Sequence, residues 1–583
     1  MLSLLIRASN EVYAFDVSFY EVFPRSSAQK LLGGNGMNST GQPLKLNINY
    51  KVLGLCGVIG LILFMILQVF PSIASDTLEQ PSKELITKDQ ARIAATQYAE
   101  SQLHIHVLSQ PDDTLVTYQS DSDLYGYLSK EKLMEKYNTT FDHKYPTEVY
   151  RVRLKEGNTN NYLNIDVHMN TGDIVSFSQK KNSPLIEPTE ESISTTNVKL
   201  AEQWLTQLGY DPKTLQITEN KKSTLTFSDL NTTIGKAILQ LKFTFGSDRI
   251  VSFEPSFSIP SEHTSYVEKE HTKAVWMTML GYGLLTLALG ILAIVYSAIT
   301  RKHTSFVRGI FLSSFYFIVS MLSTLNMLPA LEAEGLTGLS LTVGLIFQGL
   351  LTLVMAALLY FSLIGGDGLW RKETGLNPWP RAKEPGYGKF VLHSMYVGYL
   401  WALILLGVQS VIFLILGLTL HSWSTTDASQ SPINMVYPWI LPLMAWVAGI
   451  SEEAVYRLFG IRMMQKIVKN TFLACLIPSL IWAFGHTLYP IYPVISRPIE
   501  LVVIGLLFSF IFLRYGFIAA MFSHVVFDSI LMGFSLLTLE DSTSITAGVV
   551  SMVMPFIVAY VIYLVYSRKK EKPYVTTPPE VLQ

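Results

Sequence analysis

Residues 52–73 read VLGLCGVIGLILFMILQVFPSI, an apolar run without a charged side chain. As an α-helix this run is roughly 33 Å long, which exceeds the ~30 Å hydrocarbon core of a bilayer. Lys45 and Lys51 precede it. Because basic residues favour the cytoplasmic side, we predict a membrane anchor whose N-terminal end is cytoplasmic.

Nine further apolar runs predict additional spans. They lie at residues 274–299, 309–331, 339–364, 391–420, 435–458, 471–488, 498–513, 516–537 and 547–566. The overall composition agrees, since 49% of the residues are hydrophobic and only 15% are charged, which is too apolar for an ordinary soluble domain. The predicted fold class is a polytopic α-helical membrane protein of about ten spans, with an α+β extracytoplasmic domain after the first span.

Basic residues occupy alternate connections between these runs, as the positive-inside rule requires. The connections placed inside carry Arg301 with Lys302 and Arg308, Arg371 to Lys383, Arg462 to Lys469, Arg514, and Arg568 to Lys570. The predicted topology therefore places both termini in the cytoplasm and residues 76–272 outside.

Charge and cysteine content exclude several classes of function. The formal net charge is −1, so the chain lacks the basic field that nucleic-acid binding needs, and no nucleic-acid partner is expected. Cys56 and Cys475 both lie in apolar runs. Two such cysteines exclude a disulfide framework and a four-cysteine zinc site.

The region 76–272 has a soluble composition and a loosely repeated order of elements. A helix starting at Thr87 and strands near 149–154 and 162–168 are followed by a helix near 198–208 and strands near 238–245 and 250–253. The first helix together with the phrase TGDIVSF at 171–177 resembles PepSY-type domains of bacterial envelope proteins. This resemblance implies a bacterial cell membrane as the location.

Ionisable residues inside spans are costly and are functional candidates. Glu452, Glu453 and Arg457 lie at the end of the sixth apolar run. Glu453 and Arg457 are spaced i,i+4 and share a helix face, so they are expected to pair. Glu452 points about 100° away and lacks that partner.

The neighbouring spans add two imidazoles and a second carboxyl group. His486 lies in the seventh run, while His524 and Asp528 lie i,i+4 in the ninth. The first five spans carry almost nothing comparable, and the GGDG sequence at 365–368 is expected in a loop. A free carboxylate with imidazoles and a second carboxyl group is suited to activating water and stabilising an oxyanion.

Three motifs at these residues resemble those of the CAAX prenyl protease and bacteriocin-processing family (CPBP or Abi) of intramembrane proteases. EExxxR is present as EEAVYR at 452–457, FxxxH as WAFGH at 482–486, and HxxxN as HVVFD at 524–528. The resemblance covers about Trp439 to Leu531. Trp482 stands where the second motif has Phe, and Asp528 stands where family members often have Asn.

The resemblance implies hydrolysis of a peptide bond in a membrane-associated protein or peptide. It assigns Glu452 as the general base on a water that His486 helps to hold. His524 and Asp528 would stabilise the oxyanion, and Glu453 with Arg457 would form a structural ion pair.

Three alternatives stay open. In one, Glu452, His486, His524 and Asp528 hold a divalent metal such as zinc. In the second, the protein is a non-enzymatic ion- or proton-coupled transporter that uses the same polar cluster. In the third, it is a membrane scaffold without chemistry. Beyond the lipid bilayer and the substrate, the sequence specifies neither a partner nor an oligomeric state.

The depth of the site adds a prediction about helix starts. Glu452 and His486 meet near mid-membrane if their helices begin at Pro442 and Pro478, since proline suits a first helical turn.

The predicted organisation is a cytoplasmic leader 1–51 with Met37 as an alternative start, an anchor 52–73, the extracytoplasmic domain 76–272, membrane helices without site motifs 274–420, a catalytic CPBP/Abi-like membrane domain 435–567, and a cytoplasmic tail 568–583.

Overall fold

The first membrane helix lies where the sequence predicts the anchor. A computed structural model describes residues 37–71, 85–108, 114–157, 159, 161–180, 194–221, 223–246, 249–539 and 541–567. Helix α1 spans Tyr50–Val69, and Asn49 caps it by accepting a hydrogen bond from the Val52 amide. Most of the predicted leader and the whole predicted tail, with its basic residues 568–570, lie outside the described residues.

The next part of the chain forms an antiparallel sheet with helices. Helix α2 follows Thr87, whose side chain and that of Gln90 form a reciprocal capping box, the arrangement that satisfies the first free amides of a helix. The elements are α2 Lys88–Ser101, β1 Val107–Leu108, β2 Thr114–Ser120, α3 Ser122–Glu131, α4 Met134–Thr140, β3 Glu148–Glu156, β4 Tyr162–His168, β5 Ile174–Lys180, α5 Thr195–Gln207, β6 Gln216–Lys221, β7 Thr224–Ile234, β8 Ala237–Phe245 and β9 Ile250–Ser258.

Two halves of this region join in one nine-stranded sheet. Its order is β1-β3-β4-β5-β9-β8-β7-β6, with β2 also on β3. The halves meet where β5 pairs with β9, with Phe177 opposite Phe253. Each half contributes a helix followed by strands, which is the repeated order that the sequence predicts. Alternate residues of β3, such as Val152 and Leu154, are buried, as the two-residue period of a strand requires.

The remaining described chain is mostly helical. Its elements are α6 Ser261–Ile299, α7 Phe306–Asn326, α8 Leu328–Ala333, α9 Gly338–Thr374, α10 Tyr387–Thr419, β10 Trp423–Ser424, α11 at 443–468, α12 Thr471–Phe484, β11 Ile491–Tyr492, α13 Ser496–Tyr515, α14 Phe517–Leu537 and α15 Ser542–Ser567. Within the described ranges, eight helices are long and apolar enough to cross a membrane. The chain is therefore an integral membrane protein by the length and composition of its helices.

The two other predicted spans correspond to helices of a different kind. Helix α11 consists of Leu443–Glu452, a π-helical stretch Glu453–Ile461, and Arg462–Val468, and it carries the charged residues of the first motif. Helix α12 has 14 residues, or roughly 21 Å, which is shorter than the hydrocarbon core. The count of about ten spans stays a prediction.

One of the two predicted helix starts is wrong. Pro442 does precede the first helical residue of α11. Pro478, in contrast, lies inside α12, which begins at Thr471 because the Asn470 side chain accepts from the Leu473 amide at 2.9 Å. Such a cap decides a helix start more strongly than a proline further along.

The expected GGDG loop is also wrong, because residues 365–368 lie inside α9. Asp367 is fully buried and lies 2.8 Å from Arg371 and 3.4 Å from Arg308. The glycines allow close packing: a Cβ at Gly366 would lie 2.8 Å from the Leu458 side chain. Buried charge therefore also occurs in the earlier helices.

The loop that precedes α11 is attached to the sheet. The Asn434 side chain accepts from the Tyr118 amide at 2.7 Å and donates to the Tyr118 carbonyl at 2.9 Å. Lys88 donates to the Ile433 carbonyl at 2.6 Å, and β10 of the same loop pairs with β11. These contacts fix the start of α11 relative to the sheet.

Candidate active site

Glu453 and Arg457 form the ion pair that their spacing predicts. Arg457 Nη1 lies 3.0 Å from Glu453 Oε1, and both side chains are buried. The guanidinium also lies over the rings of Trp482 and Phe508, with distances to the ring centroids of 4.7 and 5.3 Å. A charge buried without a partner is strongly destabilising, so Glu453 allows Arg457 to be buried, and the ring contacts of Arg457 hold α11 against α12 and α13.

His524 on α14 is fixed from two sides. Its Nδ1 lies 2.9 Å from Glu453 Oε1, and its ring stacks on Phe508 with centroids 4.5 Å apart. Since a carboxylate only accepts, Nδ1 donates this hydrogen bond. The contact with Glu453 leaves Nε2 as the ring atom that faces the remaining carboxylates.

Those carboxylates are Glu452 and Asp528. His524 Nε2 lies 3.7 Å from Glu452 Oε2 and 3.5 Å from Asp528 Oδ2. The side chain of Glu452 is 23% exposed and that of Asp528 is 19% exposed, against 4% for His524. The structure thus brings three of the four predicted catalytic residues together, with the two carboxylates still accessible.

A glycine allows the helices to approach this closely. A Cβ at Gly449 on α11 would lie 2.6 Å from Val525 Cγ2 and 3.0 Å from the Val525 amide nitrogen. Both distances are too short for a side chain to fit, so the glycine lets α14 place His524 directly beside α11.

Trp482 is a site residue that the sequence reasoning missed. Its Nε1–H donates to Glu452 Oε2, and its ring lies 5.9 Å from that of His524. The available signal was the replacement of Phe by Trp in the second motif, because indole adds an N–H donor that phenyl lacks.

His486 lies just after the end of α12 and reaches the cluster through Trp482. Its Nδ1 is 3.0 Å from the Trp482 carbonyl oxygen, and its ring centroid is 5.2 Å from that of Trp482. Its other ring neighbour is Tyr489. The predicted meeting of Glu452 and His486 is therefore mediated by Trp482 rather than formed by direct contact of the two side chains.

The zinc alternative does not fit this arrangement. Among the residues that the structure describes, no group of three or more His, Cys, Asp and Glu side chains is placed to hold a metal ion. We therefore derive no step through a metal.

One comparison with known proteins matches this part of the chain. Residues 434–530 match the family model described as type II CAAX prenyl endopeptidase Rce1-like. This is a CAAX protease family. The matched stretch covers about a sixth of the chain and contains all three motifs. No curated protein and no solved structure matches the chain.

Proposed function

We propose that this protein is an intramembrane endopeptidase that hydrolyses a peptide bond in a membrane-associated protein or peptide. The observation that carries the proposal is the convergence of Glu452 Oε2 and Asp528 Oδ2 on His524 Nε2, within 3.7 Å. The Rce1-like match over the same residues favours hydrolysis over transport.

In this proposal Glu452 is the general base. A water at about 2.8 Å from both Glu452 Oε2 and His524 Nε2 satisfies hydrogen-bond geometry across the 3.7 Å between those atoms. Glu452 removes one proton as the water oxygen attacks the scissile carbonyl carbon, and it returns that proton to the leaving amine nitrogen as the C–N bond breaks. The Trp482 N–H holds the carboxylate in place during both transfers.

His524 stabilises the oxyanion. With Nδ1–H donated to Glu453, a proton on Nε2 is stabilised by the two carboxylates that face it and is available to the developing negative charge. The Asp528 carboxylate helps to stabilise the proton on His524 Nε2. We assign His486 to holding the water, from the side of the site on which Trp482 lies.

The substrate side of the proposal rests on the sheet domain. We place residues 76–272 outside a bacterial cell membrane as a PepSY-like domain that recruits or restrains the substrate. The attachment of Asn434 to Tyr118 connects this domain to the loop before α11, so a substrate bound there lies on the route to the site.

The test is a cleavage assay with the Glu452→Gln variant. Removing the general base is expected to lower the cleavage rate by roughly 10²–10⁴-fold, because an amide does not accept the proton of the water. Membrane proteomes of cells that carry the wild type and the variant identify the substrate. The matched control is Glu334→Gln, an exposed glutamate far from the motifs in sequence, which should cleave at the wild-type rate. Undiminished cleavage by Glu452→Gln would overturn the proposal.

A further inference from the structure

A polar cavity lies between the sheet domain and the membrane helices. It has a volume of about 210 Å³ and is lined by residues of α3, α6, β10 and β11 and the loops beside them. The residues used below are Asp123, His263, His271, Trp423, Asp427 and Tyr492. This cavity is distinct from the Glu452 cluster, none of whose residues line it.

His263 is a buried histidine whose ring nitrogens have no protein partner. Its exposed fraction is 4%, and neither Nδ1 nor Nε2 has a hydrogen-bond partner among the residues that the structure describes. The ring is held by aromatic contacts with Trp423, at 5.5 Å, and Tyr127, at 5.6 Å. Buried polar atoms are nearly always hydrogen-bonded, so the cavity offers His263 the place for a partner.

Aromatic rings fix the position of His263 in the wall of the cavity. Trp423 stacks on Tyr492 with centroids 4.6 Å apart and an interplanar angle of 24°, and it contacts His263 as well. Gly126 permits this arrangement, since a Cβ there would lie 2.8 Å from the Trp423 ring. The imidazole is therefore positioned by stacking in the cavity wall, and its acceptor nitrogen has no hydrogen-bond partner among the described residues.

The charge of the lining selects the ligand. Asp123 and Asp427 are both exposed carboxylates at the cavity, and its lining contains neither lysine nor arginine. His271 follows His263 by two helical turns on α6 and also lines the cavity. An ammonium group carries three donors and no acceptor, which matches the single acceptor nitrogen of each neutral imidazole and the carboxylate oxygens.

We propose that this cavity binds the ammonium group of a small amine or of a peptide end. The volume of about 210 Å³ is below the ~300 Å³ at which pockets for drug-sized ligands begin, so the ligand fills it with one small group. A metal ion is not the ligand, because within the described residues no three His, Cys, Asp or Glu side chains are placed to hold one.

The site joins two parts of the chain that the proposed protease needs. Asp123 belongs to the sheet domain, while Tyr492 follows His486 by six residues. Helix α6 is also tied to that segment, since Glu270 accepts from the Val494 amide at 2.9 Å. A bound ammonium group thus bridges the sheet domain and the segment that carries His486.

Calorimetric titration of the full chain in detergent tests this site. The probes are putrescine, the amidated tripeptide Gly-Gly-Gly with a free amino terminus, and the same tripeptide acetylated. We expect saturable binding of at least one ammonium probe and none of the acetylated peptide. Binding of putrescine alone identifies a free amine as the source, and binding of the free tripeptide identifies a peptide end.

Two cavity variants and two matched controls complete the test. His263→Leu and Asp123→Asn should each weaken binding at least tenfold, while His143→Leu and Asp173→Asn, at exposed residues outside the cavity, should bind as the wild type. Asp123 is exposed, so its variant stays informative if His263→Leu does not fold. The proposal is overturned if no ammonium probe binds, if the acetylated peptide binds equally well, or if Asp123→Asn binds as tightly as the wild type.

Discussion

Asp367 and Glu452 are both carboxylates within the helical membrane part, but they differ in how their oxygens are paired. Asp367 is fully buried, and its two oxygens lie 2.8 Å from Arg371 and 3.4 Å from Arg308. Glu452 receives the indole N–H of Trp482 and lies 3.7 Å from His524. Within the described residues no arginine or lysine forms a salt bridge with it.

This difference in pairing distinguishes carboxylates that stabilise the fold from carboxylates that are able to take part in a reaction. A carboxylate with an arginine on each oxygen has its charge neutralised and its acceptors occupied, so it connects helices. A partly exposed carboxylate without an arginine or lysine partner keeps acceptors for a reactant. Glu453 resembles Asp367 in being buried and paired with an arginine, although it is the next residue after Glu452, because Arg457 and His524 both contact its Oε1.

The largest expected effect is on stability, in the Glu453→Gln variant. Removing this charge leaves Arg457 buried without its partner, which typically costs about 3–5 kcal/mol. Asp367→Asn should also destabilise the protein, because Arg308 loses its carboxylate partner, whereas Arg371 keeps Glu384 at 3.6 Å. Thermal unfolding of the purified protein in detergent measures both variants.

Glu452→Gln is the contrast within that experiment. Its carboxylate is partly exposed and is not paired with an arginine or lysine, so the unfolding midpoint of this variant should stay near that of the wild type while activity is lost. Wild-type stability of Glu453→Gln, or unfolding of Glu452→Gln at the temperature of Glu453→Gln, would break the distinction between the two kinds of carboxylate.

Helical spacing explains what the sequence predicted. Residues four apart share a face, so Glu453 with Arg457 and His524 with Asp528 follow from their numbers alone, and the orientation of Glu452 follows from the 100° step. The apolar runs predicted the membrane helices and the capping residue Thr87 predicted the start of α2, because both signals are local.

Contacts between segments that are distant in the sequence explain the features that the sequence did not predict. The partners of Asp367 come from α7 and from its own helix, and the glycines around it act in helix packing rather than as a turn. The Trp482 bond to Glu452 depends on how α12 crosses α11. The position of His486 depended on where α12 begins, which Asn470 decides rather than Pro478.

An intermediate effect is expected for Trp482→Phe. The change removes the N–H that orients Glu452 and keeps a ring against Arg457. A hydrogen bond to a charged group contributes about 1.5–3 kcal/mol, so the cleavage rate should fall roughly 10- to 100-fold. Steady-state cleavage of a membrane-reconstituted substrate measures it.

The matched control is Trp370→Phe. Trp370 is also buried and donates to the Leu458 carbonyl at 2.9 Å, but it lies outside the carboxylate cluster. We expect Trp370→Phe to lose about as much stability as Trp482→Phe and to keep the wild-type cleavage rate. Equal losses of activity in the two variants would show that Trp482 acts through packing and not through its donor.

The smallest effect is expected for Asp528→Asn, and it tests what Asp528 does. If Asp528 supports the His524 Nε2 proton from 3.5 Å away, the side-chain oxygen of an asparagine can accept in place of the carboxylate oxygen, and cleavage should stay within about tenfold of the wild type. Asp528→Leu removes the polar group and should lower the rate by roughly 10²–10³-fold. A loss as large in the asparagine variant as in the leucine variant means that the carboxylate charge itself is required. An acceptor oxygen beside the His524 proton would then not be sufficient, and the assignment of Asp528 as a mere hydrogen-bond acceptor for that proton would be wrong.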